Sequence, residues 1–140
     1  MAKFQFRLQR VLDFREMAEE WAKNDYLERR AARLLAEQER VQIAGERKNA
    51  IGRGAESLDA RRNLEMLLSR YDEEEAIQLR IIAELEEEEE RAAEVWREKK
   101  QELEAMVKLR DKALEEWTLE DTRREQAELD EWAVLRRKAA

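Results

Sequence analysis

Carboxylates are the one chemically versatile group that this chain of 140 residues has in abundance, with 35 Asp and Glu against 28 Lys and Arg. Paired carboxylates serve as general acid and base only where a concave site desolvates one of them and drives their pKa values apart. The usual companions are missing, because the chain has no His and no Cys, and Ser57 and Ser69 are its only serines. Neither serine stands in a nucleophile elbow or beside a base, and no glycine-rich phosphate loop is present. The densest acidic run, Glu86-Glu87-Glu88-Glu89-Glu90, is consecutive. On a helix such neighbours fan out around the axis and do not converge on one ion, so the run reads as a solvated face. The composition therefore points away from an enzyme, a thiolate metal site or a cofactor protein.

The element that would have to position any site is a helix. From Leu64 to Trp117 two rows of positions seven apart run unbroken. One row is Leu64, Tyr71, Gln78, Leu85, Ala92, Lys99, Met106 and Ala113; the other is Leu68, Glu75, Ile82, Glu89, Trp96, Leu103, Arg110 and Trp117. Eleven of these sixteen positions are apolar, and steps alternating between four and three make a narrow stripe, the seam of a coiled coil. Neither Gly nor Pro interrupts it. The charged fraction of 45% alone would suit a disordered chain, but Ala, Glu, Leu, Arg and Lys are strong helix formers and the apolar residues are periodic.

An earlier helix is expected over residues 4–50. Its apolar row Phe4, Val11, Ala18 is supported by Leu8, Leu12, Phe14 and Trp21; a second row, Leu27, Leu34, Val41, follows after a shift of register. The three glycines, Gly45, Gly52 and Gly54, fall within ten residues, and Ser57 can cap a following helix. The pattern predicts a turn at about 51–57 and a second helix over about 58–137. The expected fold is all-α: an antiparallel two-helix coiled-coil hairpin with a longer second helix, in a single elongated domain covering 1–140. At about 1.5 Å per residue the helices would be some 70 and 120 Å long. With a turn centred on Arg53, residues beyond about Leu103 should lack an intramolecular partner. Met106, Leu109, Leu114, Trp117, Leu129, Trp132 and Leu135 would then form an exposed apolar surface suited to a protein partner.

The net charge of −7 disfavours nucleic acid as a partner. The charge is also uneven, with eleven acidic residues against Arg80 and Arg91 between Tyr71 and Glu94. No apolar run approaches the roughly 18 residues needed to cross a bilayer, and the first residues lack the apolar centre of a secretory signal, so a soluble, unprocessed protein is expected.

Specific residues add a family resemblance. Trp96-Arg97-Glu98-Lys99-Lys100-Gln101, followed by Leu103-Glu104 and Leu109-Arg110-Asp111, resembles the corresponding segment of the FliJ family of flagellar export stalk and chaperone proteins. So do Arg124-Glu125-Gln126 with Leu129-Asp130-Glu131-Trp132-Ala133 near the end, and Phe4-Gln5-Phe6-Arg7-Leu8-Gln9 at the start. The resemblance implies a non-enzymatic stalk, similar in shape to the stalk of rotary ATPases. Its partners would be the ring of the flagellar export ATPase, the cytoplasmic domain of the export gate, and export chaperones. It implies a cytoplasmic protein peripherally associated with the membrane at the export apparatus, without cofactors. Carried over, the ATPase-facing residues are Trp96, Lys99, Lys100, Leu103, Trp117, Asp130, Glu131 and Trp132, and the gate-facing residues are Leu67, Tyr71 and Gln78. Trp96 sits in the seam, which favours a role in the intramolecular core; Trp117 and Trp132 are the stronger interface candidates. Basic residues (Lys3, Arg7, Arg10, Arg15 and Arg136, Arg137, Lys138) would steer docking to an acidic ring opening. A stalk of a virulence-type secretion system and a homodimeric coiled-coil scaffold are the alternatives.

Overall fold

The computed structural model describes residues 3–139. Among them are two helices, α1 (Gln9–Arg53, 45 residues) and α2 (Leu58–Ala139, 82 residues), and no strand. The fold is all-α, an antiparallel coiled-coil hairpin in which the second helix is the longer.

The turn is built from two chemically distinct stops. Helix α1 continues through Gly45 and Gly52 and ends at Arg53. Gly54 then takes a φ of 67°, a left-handed conformation in which a side chain would be strained, and its N–H donates to the Ile51 carbonyl at 3.1 Å. Four residues later α2 is under way: the Ser57 hydroxyl accepts from the Ala60 N–H at 3.0 Å, and the Ser57 carbonyl accepts from the Arg61 N–H at 2.9 Å. Ser57 is thus the N-cap that its type suggests. The break lies at Gly54–Ser57, the later part of the expected 51–57 turn, because one glycine in left-handed backbone suffices to end α1.

The chain divides into two compact units, one of residues up to Glu19 with those from Glu98 onward, the other of Glu20–Arg97. In the Glu20–Arg97 unit the hairpin arms are antiparallel, as paired residues show. Separation along the chain falls from 59 at Arg29–Glu88 to 25 at Arg47–Asp72 as the turn is approached. All sixteen positions of the two rows between Leu64 and Trp117 are buried or half-buried, with Gln78, Ile82 and Ala92 the most buried. The seam of α2 is the one its periodicity predicts.

The seam of α1 is different from the expected one. Val11, Phe14 and Trp21 are exposed, and so are Leu27, Leu34 and Val41, the last at 71%. Residues that are buried, half-buried or, like the exposed Arg29 and Arg40, paired with an acid of α2 follow an unbroken four-three spacing, through Leu8, Leu12, Arg15 and Glu19 in the terminal unit and Ala22, Tyr26, Arg29, Arg33, Ala36, Arg40, Ile43, Arg47 and Ala50 in the other. No shift of register occurs. Alanine and arginine fill this seam where leucine was expected: Ala lets the helices approach, and Arg lays its stem along the seam while its guanidinium reaches an acid on α2.

In the terminal unit the chain starts without helix. Residues 3–8 are irregular up to a turn in which the Gln9 N–H donates to the Phe6 carbonyl at 3.1 Å, so α1 begins at Gln9 and not at Phe4. This segment lies along α2, with Gln5, Phe6 and Leu8 bordering one groove with Leu109, Ala113 and Glu116. The Phe4 ring meets that of Trp117 edge-on at 6.0 Å and 61°. Leu12 is fully buried and anchors the unit.

Candidate functional site

Three features carry the functional information: a ladder of ion pairs, a trough beside it, and an uncovered end of α2.

The ladder belongs to the Glu20–Arg97 unit. Arg29 pairs with Glu88 at 2.8 Å, Arg47 with Asp72 at 2.9 Å, Arg40 with Glu75 at 3.6 Å, and Arg33 is gripped by both carboxylate oxygens of Glu89. In the terminal unit Arg15–Glu102 forms a rung of the same kind at 2.6 Å. Glu88 and Glu89 are therefore structural partners, which corrects the reading of Glu86–Glu90 as a wholly solvated face; Glu90, in turn, accepts from Arg97 at 3.0 Å. The hydrogen bond from Arg33 to Glu89 raises the guanidinium pKa, with burial opposing it, and the bond to Glu88 raises that of Arg29. A folded-state pKa above the unfolded one contributes stability below the unfolded value and loses it only as pH rises past the folded one. For arginine both lie at strongly alkaline pH, so the guanidinium side of each rung keeps its charge throughout the physiological range.

Gln78 interrupts this pattern as a neutral polar residue inside the seam. Its side-chain amide is buried and donates to the Ala36 carbonyl at 2.9 Å and to Glu39 Oε2 at 3.2 Å. No buried side-chain N or O among the described residues lacks a partner. Of the other gate-facing expectations, Leu67 and Tyr71 are half-buried along the same helix.

The ATPase-facing expectations separate into three settings. Trp96 stacks on Tyr26 at 5.3 Å within the Glu20–Arg97 unit, the intramolecular role its seam position suggests. In the terminal unit, Lys99 lies 3.5 Å from Glu102, Lys100 and Leu103 are half-buried, and Trp117 is half-buried beneath Phe4. This corrects the expectation that partners run out near Leu103. The turn lies later than Arg53, and the non-helical start advances about 3.3 Å per residue against about 1.5 Å for a helix, so cover extends to Trp117. The uncovered part of α2 begins at Thr122, and every residue from there to Ala139 is exposed. Asp130 accepts from Gln126 at 3.2 Å, Glu131 is exposed, and Trp132, 59% exposed, has the Arg136 guanidinium 5.1 Å from its ring centre. Leu129, Val134 and Leu135 are exposed beside it.

The trough lies on one flank of the Glu20–Arg97 unit. Val41, Ala44, Leu79 and Ala83 line it, and Glu75 and Glu86 stand at its edge. Sequence reasoning missed it because Val41 was assigned to the seam; the signal was the excess of apolar residues in α1 beyond what one seam requires.

Among the described residues no helix is long and apolar enough to cross a membrane, and no cluster of acidic side chains has the arrangement of a metal site. The family model described as flagellar FliJ protein matches residues 4–139. Neither a curated protein nor a solved structure matches the chain.

Proposed function

Because the chain belongs to the flagellar FliJ protein family, we propose that it acts as a non-enzymatic stalk of flagellar protein export, binding and stimulating the export ATPase ring through the uncovered end of α2. The observation that carries this reading is the exposure of every residue from Thr122 to Ala139, with Leu129, Trp132 and Leu135 among them. Large apolar side chains ringed by charge are the composition of an interface centre, where Trp and Arg contribute most. Trp132 beneath Arg136 is such a pair, and Arg137 and Lys138 add positive charge for steering toward an acidic opening. Lys99, Lys100, Leu103, Asp130 and Glu131 are support positions in this reading. Trp96 and Trp117 act by holding the helices together.

The same reading places the export gate at the turn-proximal part of the hairpin. Leu67 and Tyr71 are half-buried there, and Gln78 contributes through the register it fixes. Handling of export chaperones, and a cytoplasmic protein held peripherally at the export apparatus, complete the proposal.

Titration into the flagellar export ATPase, following ATP hydrolysis and ring assembly, tests it. Stimulation that is lost in Trp132→Ala and kept in Trp21→Ala is the expected result. Unchanged hydrolysis with no binding overturns the stalk reading.

A further inference from the structure

Two unpartnered surfaces on this chain complement each other. On the flank of the Glu20–Arg97 unit, Leu27, Leu34 and Val41 recur at intervals of seven, exposed at 44%, 42% and 71%. That is the spacing of a second coiled-coil seam, and it goes unused within the molecule. Val41 opens onto the trough, which the small side chains of Ala44 and Ala83 line beside the buried Ile82. Small residues let a third helix approach closely and leave room for a large side chain from it. The second surface is the uncovered end of α2, whose Leu129, Trp132 and Leu135 fall within an arc of about 120° at ~100° per residue.

Length and charge agree as well as shape. The uncovered segment from Thr122 spans about 27 Å, and the row Leu27–Val41 about 21 Å. Glu37, Glu75 and Glu86 line the trough against Arg40, which pairs with Glu75; the last two acids belong to the stretch with eleven acids against two arginines, and the segment ends in Arg136, Arg137 and Lys138. Its other half is close to neutral, with Arg123 and Arg124 against Glu125, Glu128 and Asp130, so the charge match is carried by the basic end alone.

We propose that the uncovered end of α2 from one molecule docks as a third helix in the Val41–Leu79 trough of a second copy of this chain. Docking covers Trp132 and the exposed row of α1 together, so a pair of molecules hides two apolar surfaces at once.

The absence of cysteine makes the test direct. Full-length Ala44→Cys, carrying an affinity tag, is mixed with untagged full-length Ala133→Cys under mild oxidation, with no other protein present. A mixed disulfide enriched about ten-fold over that formed by Leu35→Cys, which lies on the opposite flank of α1, is expected from the raised effective concentration of a docked helix. Val41→Glu in the tagged partner or Trp132→Glu in the untagged one should remove that enrichment, and sedimentation of the unmodified chain should show mass rising with concentration. A yield no higher than the Leu35→Cys control overturns the proposal. So does a monomer throughout the micromolar range, or enrichment that survives Val41→Glu, even if the trough then proves to bind a different protein. Because no ATPase enters the experiment, its failure leaves the stalk reading standing, and failure of the stalk reading leaves this result intact.

Discussion

Replacing Gln78 in two ways should shift stability in opposite directions. Its side-chain amide is buried and makes two hydrogen bonds, at 2.9 Å to a backbone carbonyl and at 3.2 Å to a carboxylate. Such bonds contribute about 1 kcal/mol each net of competition from water. Gln78→Ala loses both, along with one buried methylene at ~0.8 kcal/mol, and should cost about 3 kcal/mol. Gln78→Leu loses the same bonds but fills the site with a side chain whose burial is worth about 1.5–3 kcal/mol. The Ala36 carbonyl stays within its helix and Glu39 is exposed, so neither partner is stranded. The leucine variant should therefore lie within about 1 kcal/mol of the native protein. With a urea slope of about 2 kcal/mol per molar, the midpoint monitored by helical circular dichroism should fall by roughly 1.5 M for alanine and by less than about 0.5 M for leucine. The leucine variant should also be the less uniquely registered, because a single buried amide penalises slipped pairings that an all-apolar seam tolerates. Equal losses for the two substitutions would refute the argument and show that the amide bonds alone govern the site.

Other parts of the molecule respond in ways that separate their roles. Arg33→Leu should destabilise by about 1–2 kcal/mol by stranding the half-buried Glu89, and Arg33→Leu/Glu89→Leu should recover most of that loss in a double-mutant cycle by urea denaturation. Ser57→Ala should cost about 1 kcal/mol by leaving the Ala60 N–H uncapped, whereas Ser69→Ala, on an exposed helix face, should not lower the midpoint. Gly54→Ala should destabilise by about 1 kcal/mol because of its positive φ; Gly45→Ala, inside α1 with open space around it, should stabilise by a similar amount. Phe4→Ala should lower the thermal midpoint by removing the cover of Trp117, and Trp132→Ala should leave that of the dilute monomer unchanged.

The contrast between the two helices explains what the sequence makes legible. In α2 the seam is written in Leu, Ile, Met and Trp, and hydrophobic periodicity finds it directly. In α1 the seam is written in Ala and Arg, whose hydropathy carries no such signal, and the eye follows Leu27, Leu34 and Val41 instead. Those residues do repeat every seven, but on a flank. The pattern that identifies the true seam is electrostatic: Arg29, Arg33, Arg40 and Arg47 recur at seam spacing and face the stretch of α2 where acids outnumber bases. Ser57 and Gly54 announce the turn because capping is local chemistry. The uncovered segment is misplaced by sequence alone, since its start depends on how far residues 3–8 reach, and an irregular backbone has no periodicity to read. Trp132 is legible as exposed because no residue of α1 remains to meet it.

The ladder also has a consequence for how the hairpin forms. Its rungs bring together residues ever further apart along the chain, beginning with Arg47 and Asp72, separated by 25, and reaching Arg29 and Glu88, separated by 59. The first rung encloses a short loop already stiffened by helix and by the Ser57 cap, so its entropic cost is small. Each later rung closes against neighbours already in place. The arms should thus zip outward from the turn, with each arginine testing the alignment as it arrives, since a chain one heptad out of step would set Arg40, Arg33 and Arg29 against Leu, Ile, Trp or Val in place of an acid.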